Sequence, residues 1–190
     1  MKHDLFSTPI WIKEYPEMNI TPVLNLCREL RDADPDGRVI SNRNGWQSMD
    51  ISTGFPELKE LESCILQESV ELLTQMGYTT DIFIENLWFN VNGENSINLP
   101  HIHDKCILSG VFYLSLGKDA GDLVFHRGHN ENYILSQHRV DHLTLHTAAT
   151  IAYAPVEKRL VLFPAWLPHS VESSGTNEPR ISIAFNIKQK

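Results

Sequence analysis

The chain has 190 residues, 42% of them hydrophobic, which suffices for one domain with a substantial core. Its 16 basic and 24 acidic residues give a formal charge of -8, which argues against a broad nucleic-acid-binding face. No apolar run approaches the ~20 residues that span a bilayer, the N-terminus has no signal-peptide core, and the 3 cysteines form no CxxC pair; a soluble, unexported protein of the reducing cytoplasm is expected.

In chain order, Phe6, Ile10 and Ile12 alternate around Pro9 as in an edge strand. Thr21-Pro22 reads as an N-cap followed by proline at the first helical position, opening a helix whose apolar stripe is Val23, Leu24, Cys27 and Leu30 and which stops at Asp34-Pro35-Asp36-Gly37. Ser41 to Gly54, with Asn44-Gly45-Trp46-Gln47-Ser48 inside it, has the chemistry of a loop or short hairpin. From Pro56 to Met76, Leu58, Leu61, Ile65, Val70, Leu72 and Leu73 recur at helical spacing, with Gly77 as the C-cap.

After Thr80 the period changes to 2. The expected strands are Ile82–Val91, Leu108–Leu114, Leu123–His126, Leu143–His146, Thr150–Tyr153, Leu160–Phe163 and Ile181–Asn186. The polar stretch from Gly128 to Asp141 reads as a long connection or lid near the mouth of a barrel. The fold class is mainly β with flanking helices, a jelly roll. It is read as one domain over residues 1–190, in which a helical and mixed part, 1–80, packs on a β core, 81–190.

The chemistry concentrates in three places. On a strand, residues at i and i+2 project the same way, so His101 and His103 can grip one metal ion, and His169, on a distant strand and presented by a backbone that Pro164 and Pro168 fix, can close the grip. Imidazole suits iron, zinc, copper and nickel alike, so the pair alone names no metal. Arg180 and Ser182, also at i and i+2, offer a guanidinium and a hydroxyl to a carboxylate beside it. The bland alternative makes Arg180 a surface arginine after a turn containing Gly175, Asn177 and Pro179. His126, His129, His138, His142 and His146 fit solvated strand ends and the long connection.

The segments LPHIHDKCILSGVFYL and LVLFPAWLPHSVESSGTNEPRISIAFNI, with SNRNGWQSMD upstream, resemble a family of small iron(II)- and 2-oxoglutarate-dependent oxygenases of phages and marine bacteria. The resemblance implies a double-stranded β-helix of the cupin-like kind, iron(II) as metal and 2-oxoglutarate as co-substrate. It makes His169 the distal iron ligand and gives Arg180 and Ser182 the far carboxylate of the co-substrate, with Asn90 and Tyr113 as further contacts to it. The wider superfamily writes its metal site as His-x-Asp/Glu followed by a distant His. Here the second position is His103, so three arrangements stay open: His101, His103 and His169; Asp104 as the alternative ligand; or two protein ligands only. The implied reaction is hydroxylation of a small-molecule or peptide substrate with decarboxylation of 2-oxoglutarate to succinate; no membrane or nucleic acid is involved, and a homodimer is left open. The rival is a cupin-like metal-binding or sensing domain without oxygenase activity, which would require a glutamate shortly after His103 that Asp104-Lys105-Cys106-Ile107-Leu108 does not supply.

Overall fold

The structure is a computed structural model that describes every residue except Asn177, so that part of the expected Gly175–Pro179 turn lies outside the described residues. The N-terminal third holds β1 (Trp11–Glu14), α1 (Thr21–Ala33), β2 (Asn42–Arg43), β3 (Trp46–Gln47), a 3-10 turn at Pro56–Leu58 and α2 (Lys59–Met76). Then follow β4 (Ile82–Asn92), β5 (Ile97–His101), β6 (Leu108–Ser115), β7 (Leu123–His126), α3 (His129–Leu135), β8 (Thr150–Tyr153), β9 (Arg159–Pro164), β10 (His169–Val171) and β11 (Arg180–Gln189). Two antiparallel sheets face each other. The larger runs β1-β9-β6-β11-β4-β3 and the smaller β2-β5-β10-β7-β8, the double-stranded β-helix expected from the sequence.

Alternation along β11 explains how the layers divide. Ile183, Phe185 and Ile187 are fully buried in one apolar cluster with Leu61, Ile65, Leu72 and Leu73 of α2 and Val23, Leu26 and Cys27 of α1. Each such side chain contributes roughly 1.5–3 kcal/mol by leaving water. The residues between them, Ser182, Ala184 and Asn186, turn to the other face and line a cavity between the sheets. A second cluster, including Leu123, Phe125, Val161 and Phe163, closes the space between the sheets around it. Gly110 on β6 makes room where Phe185 and Leu162 converge, since a Cβ there would overlap both side chains.

Several expectations are corrected. Helix α1 begins at Thr21 with Ile20 as its N-cap, and the Thr21 N–H is taken by Asn19 Oδ1 at 3.2 Å instead of being capped by a threonine side chain. Leu26 is buried in place of the half-exposed Leu24. Val70 is 38% exposed, because five residues past Ile65 at 100° each carry it well off the buried face. β2 and β3 do not form a hairpin: β2 pairs with β5 and β3 with β4, so this segment joins both sheets. Leu143–His146 is not a strand. Thr144 and Thr147 there exchange side-chain and backbone hydrogen bonds that compete with a ladder, leaving Leu143 and Leu145 exposed. The Gly128–Asp141 connection carries the short α3, and among the described residues none of it lines the cavity. Among the described residues, no helix is long and apolar enough to cross a membrane.

Candidate metal and co-substrate site

The three histidines converge where the smaller sheet crosses over to the larger. β5 ends at His101, and β10 begins at His169 directly opposite it in register. Pro100 falls where that register shifts, a place where a missing N–H is tolerated. His103 lies just beyond the strand, so simple alternation does not aim it; its backbone N–H instead donates to Ala165 O at 2.9 Å and ties it to the turn that precedes His169. That turn is closed by Leu167 N–H donating to Pro164 O at 2.9 Å. Ring centroids are 4.4 Å apart for His101 and His169, 4.9 Å for His101 and His103, and 5.2 Å for His103 and His169. One ring nitrogen from each lies within 4.8 Å of the others.

Tautomers follow from the partners. His101 Nδ1 faces Leu99 O at 2.7 Å and His169 Nδ1 faces Leu167 O at 2.9 Å. A carbonyl can only accept, so both Nδ1 atoms carry the proton and both Nε2 atoms keep a lone pair. Burial and mutual repulsion push the His103 pKa down to about 4 and that of His169 to about 3, and burial lowers His101 too. All three rings are therefore neutral at pH 7. Phe163, with its ring 4.6 Å from that of His169, forms an apolar wall behind them. Asp104 sits exposed in a turn and is not among the converging side chains. His126 is engaged with Ser170 Oγ at 2.8 Å, while His129, His138, His142 and His146 lie on the β7–β8 connection.

Across the larger sheet, strand register builds a polar row. Gln47 on β3 pairs with Asn90 on β4, Asn90 with Ser182 on β11, and Ser182 with Tyr113 on β6. Paired residues share a face, and all four line the same cavity of about 520 Å³ as the histidines. Arg180 stands one step further along β11 and is 2% exposed. Its Nη1 donates to Ala120 O at 3.0 Å and Gly121 O at 2.9 Å, and its Nε has no partner among the described residues. Gly121 can present that carbonyl because its φ of +69° suits glycine and because a Cβ would overlap the Glu172 backbone. Burial pushes the Tyr113 phenol up to about 12, so it stays protonated and can donate.

Sequence reasoning missed Gln47, Arg38 and Asp50 on the wall of this cavity, and also the network in which Ser109 Oγ donates to Asn186 Oδ1 at 2.6 Å and Asn186 Nδ2 to Asn86 Oδ1 at 2.9 Å. Asn186 could have been found from its place on the same alternating face as Arg180 and Ser182. Gln47 and Arg38 carry no such signal, because a strand of two residues has no period and Arg38 lies outside the strands.

Three neutral nitrogen donors lining the same cavity as a buried guanidinium that has no ion-paired carboxylate among the described residues fit a divalent metal with a dicarboxylate reaching from one to the other. A family model described as "Putative 2OG-Fe(II) oxygenase" matches residues 86–186, just over half of the chain. The chain belongs to this 2OG-Fe(II) oxygenase family. Its metal and co-substrate are iron(II) and 2-oxoglutarate, and it is a dioxygenase of that class, not a cupin-like binding domain. No curated protein matches it by sequence. Among solved structures it is similar to a prolyl-4-hydroxylase of Pseudomonas putida (TM-score 0.68, 17% identity, 98% of this chain and 96% of that one covered). It is also similar to a Trichoplax adhaerens prolyl hydroxylase in complex with a hypoxia inducible factor peptide fragment (0.63, 16%, 95% and 83%). A third is HygX of Streptomyces hygroscopicus with nickel and 2-oxoglutarate bound (0.62, 10%, 96% and 84%). At these identities the likeness shows that the oxygenase family member shares their fold.

Proposed function

We propose that His101, His103 and His169 hold the iron of this oxygenase, and that Arg180 anchors the far carboxylate of 2-oxoglutarate with help from Ser182, Tyr113 and Asn90. The observation that carries the reading is the shared cavity: the histidine group and the buried Arg180 guanidinium, which has no ion-paired carboxylate among the described residues, open onto the same space. Convergence of the three rings, with Asp104 exposed, supports His103 over Asp104 as the third ligand.

When bound, iron would supply the redox chemistry that divides one dioxygen between 2-oxoglutarate, which leaves as succinate and carbon dioxide, and a substrate C–H bond, which becomes C–OH. The chain supplies the rest. The carbonyls of Leu99 and Leu167 hold two imidazoles in one orientation and one tautomer. Arg180, held between Ala120 O and Gly121 O, meets the co-substrate with a fixed fork. The Tyr113 hydroxyl, neutral in its pocket, and Ser182 donate to the same carboxylate. Leu123, Phe125 and Phe163 keep water from the bound pair.

A small molecule or a peptide is the substrate class. The reading further takes residues 1–190 as one domain, because β1, β2 and β3 are woven into the two sheets of the core. It places the protein in the cytoplasm, a location supported by the free cysteines Cys27, Cys64 and Cys106. The sequence resemblance supports a phage or marine bacterial source, and light scattering tests for a homodimer. Succinate release from 2-oxoglutarate under air with iron(II) tests the assignment: release lost in both His103→Ala and Arg180→Met supports it, and release unchanged in either one removes that residue from the site.

A further inference from the structure

The segment 34–50 crosses from one sheet to the other and carries three polar side chains onto the cavity wall: Arg38, Gln47 and Asp50. It is held rigidly despite its two-residue strands. The Arg38 N–H donates to Gln47 O at 2.8 Å, and the buried Asn42 side chain bonds Arg38 O at 3.0 Å, Gly45 O at 2.9 Å and the Ile40 N–H at 2.9 Å. Arg38 lies 5.9 Å over the Trp88 ring, and Trp88 lies 5.8 Å from the His103 ring. The Arg38 head is thus two aromatic contacts from the metal group.

This end of the cavity holds an uncommon set of groups. Arg38 Nη2 and Asp50 Oδ1 form an ion pair at 2.5 Å. Among the described residues Arg38 Nε is a donor without an acceptor, and Gln47 Oε1 is an acceptor without a donor, on a residue only 3% exposed. Buried polar groups left unpaired cost about 1–3 kcal/mol each, so their persistence on a cavity wall points to a ligand that satisfies them. The complement of a guanidinium with a spare donor, an exposed carboxylate paired to it and a buried amide oxygen with no donor among the described residues is a molecule bearing one carboxylate and one ammonium group.

Resting on the oxygenase reading above, we infer that the substrate of this enzyme is a free α-amino acid. Its carboxylate is taken by Arg38, its ammonium by Asp50 and Gln47, and its side chain runs along Trp88 toward the iron. The self-neutral Arg38–Asp50 pair keeps the empty pocket from carrying an uncompensated charge and reads both charges of the zwitterion at once. A residue inside a peptide lacks both charges and would leave the pair unanswered.

The test is calorimetric binding to protein loaded with redox-silent zinc(II) and 2-oxoglutarate, using the standard L-amino acids one at a time. At least one should bind, and its N-acetyl and C-amide forms should each bind at least tenfold more weakly. Arg38→Met and Asp50→Asn should abolish that binding with 2-oxoglutarate affinity kept; Asp50, half-exposed, serves where Arg38→Met fails to fold. Tight binding of 2-oxoglutarate with no amino acid bound, or equal binding of the doubly capped form, overturns the inference and leaves the oxygenase reading standing. Failure of 2-oxoglutarate itself to bind overturns that reading and this inference with it.

Discussion

Replacing Arg180 by methionine isolates the co-substrate anchor. The guanidinium is 2% exposed and donates to the carbonyls of Ala120 and Gly121, with no carboxylate in ion-pair contact among the described residues and Asp122 acting on it as a more distant charge. Methionine of similar length removes two hydrogen bonds worth about 1 kcal/mol each and also removes the penalty of burying the charge, so stability should change by no more than about 2 kcal/mol. Affinity for 2-oxoglutarate should change far more. Deleting one partner of a buried, hydrogen-bonded charge pair costs about 2–5 kcal/mol, or about 30-fold to several thousand-fold in Kd. The assay is calorimetric titration of the zinc(II)-loaded protein with 2-oxoglutarate and, as control, with pyruvate, a 2-oxo acid without the far carboxylate. The variant should lose 2-oxoglutarate affinity and keep pyruvate affinity. A change under threefold for 2-oxoglutarate, or an equal loss for both ligands, would refute the assignment of Arg180 to the far carboxylate.

Metal-free protein should lose stability as pH falls from 7 to 5. His169 and His103 have folded pKa values near 3 and 4 against 6.5 when unfolded, so in that window the unfolded chain binds more protons; stability is full above about pH 6.5, and His169 alone removes about 2 kcal/mol by pH 5, read by urea unfolding at each pH. Zinc(II) should therefore raise the melting temperature more at pH 7 than at pH 5, because protons compete for the same nitrogens. Glu68→Leu should cost about 2–4 kcal/mol in urea unfolding: its carboxylate, 6% exposed, accepts Trp11 Nε1–H at 2.7 Å and Tyr15 O–H at 2.9 Å, and both donors would be left unpaired between β1 and α2. Gly110→Ala should cost about 1–3 kcal/mol, because its Cβ would press on Phe185 and Leu162 at the center of the larger sheet; an unchanged urea midpoint would contradict that packing.

What was legible in the sequence is what repeats. The alternation of Ile181, Ile183 and Phe185 against Ser182, Ala184 and Asn186 showed which face of β11 is apolar, and the 3.6 spacing of Leu61, Ile65 and Leu72 located α2. The three histidines stood out because of their spacing and their proline-rich surroundings. β5 and β10 were not legible: one holds a proline and the other is three residues long, and both are specified by partners far off in the chain. The same holds for Gln47, whose place beside Asn90 and Ser182 is a matter of strand pairing across more than 130 residues of sequence. Leu143 and Leu145 alternate as a strand would, yet neighbouring threonine side chains capture the backbone first.

The central claim is that His101, His103 and His169 share one ion that also carries 2-oxoglutarate. Its most direct test is anaerobic titration of the metal-free protein with iron(II) and then 2-oxoglutarate, followed by the weak visible charge-transfer band of the chelate. One iron per chain, with a band that grows on adding 2-oxoglutarate and is absent in His169→Ala, is the result predicted. An unaltered band and stoichiometry in His169→Ala would contradict it.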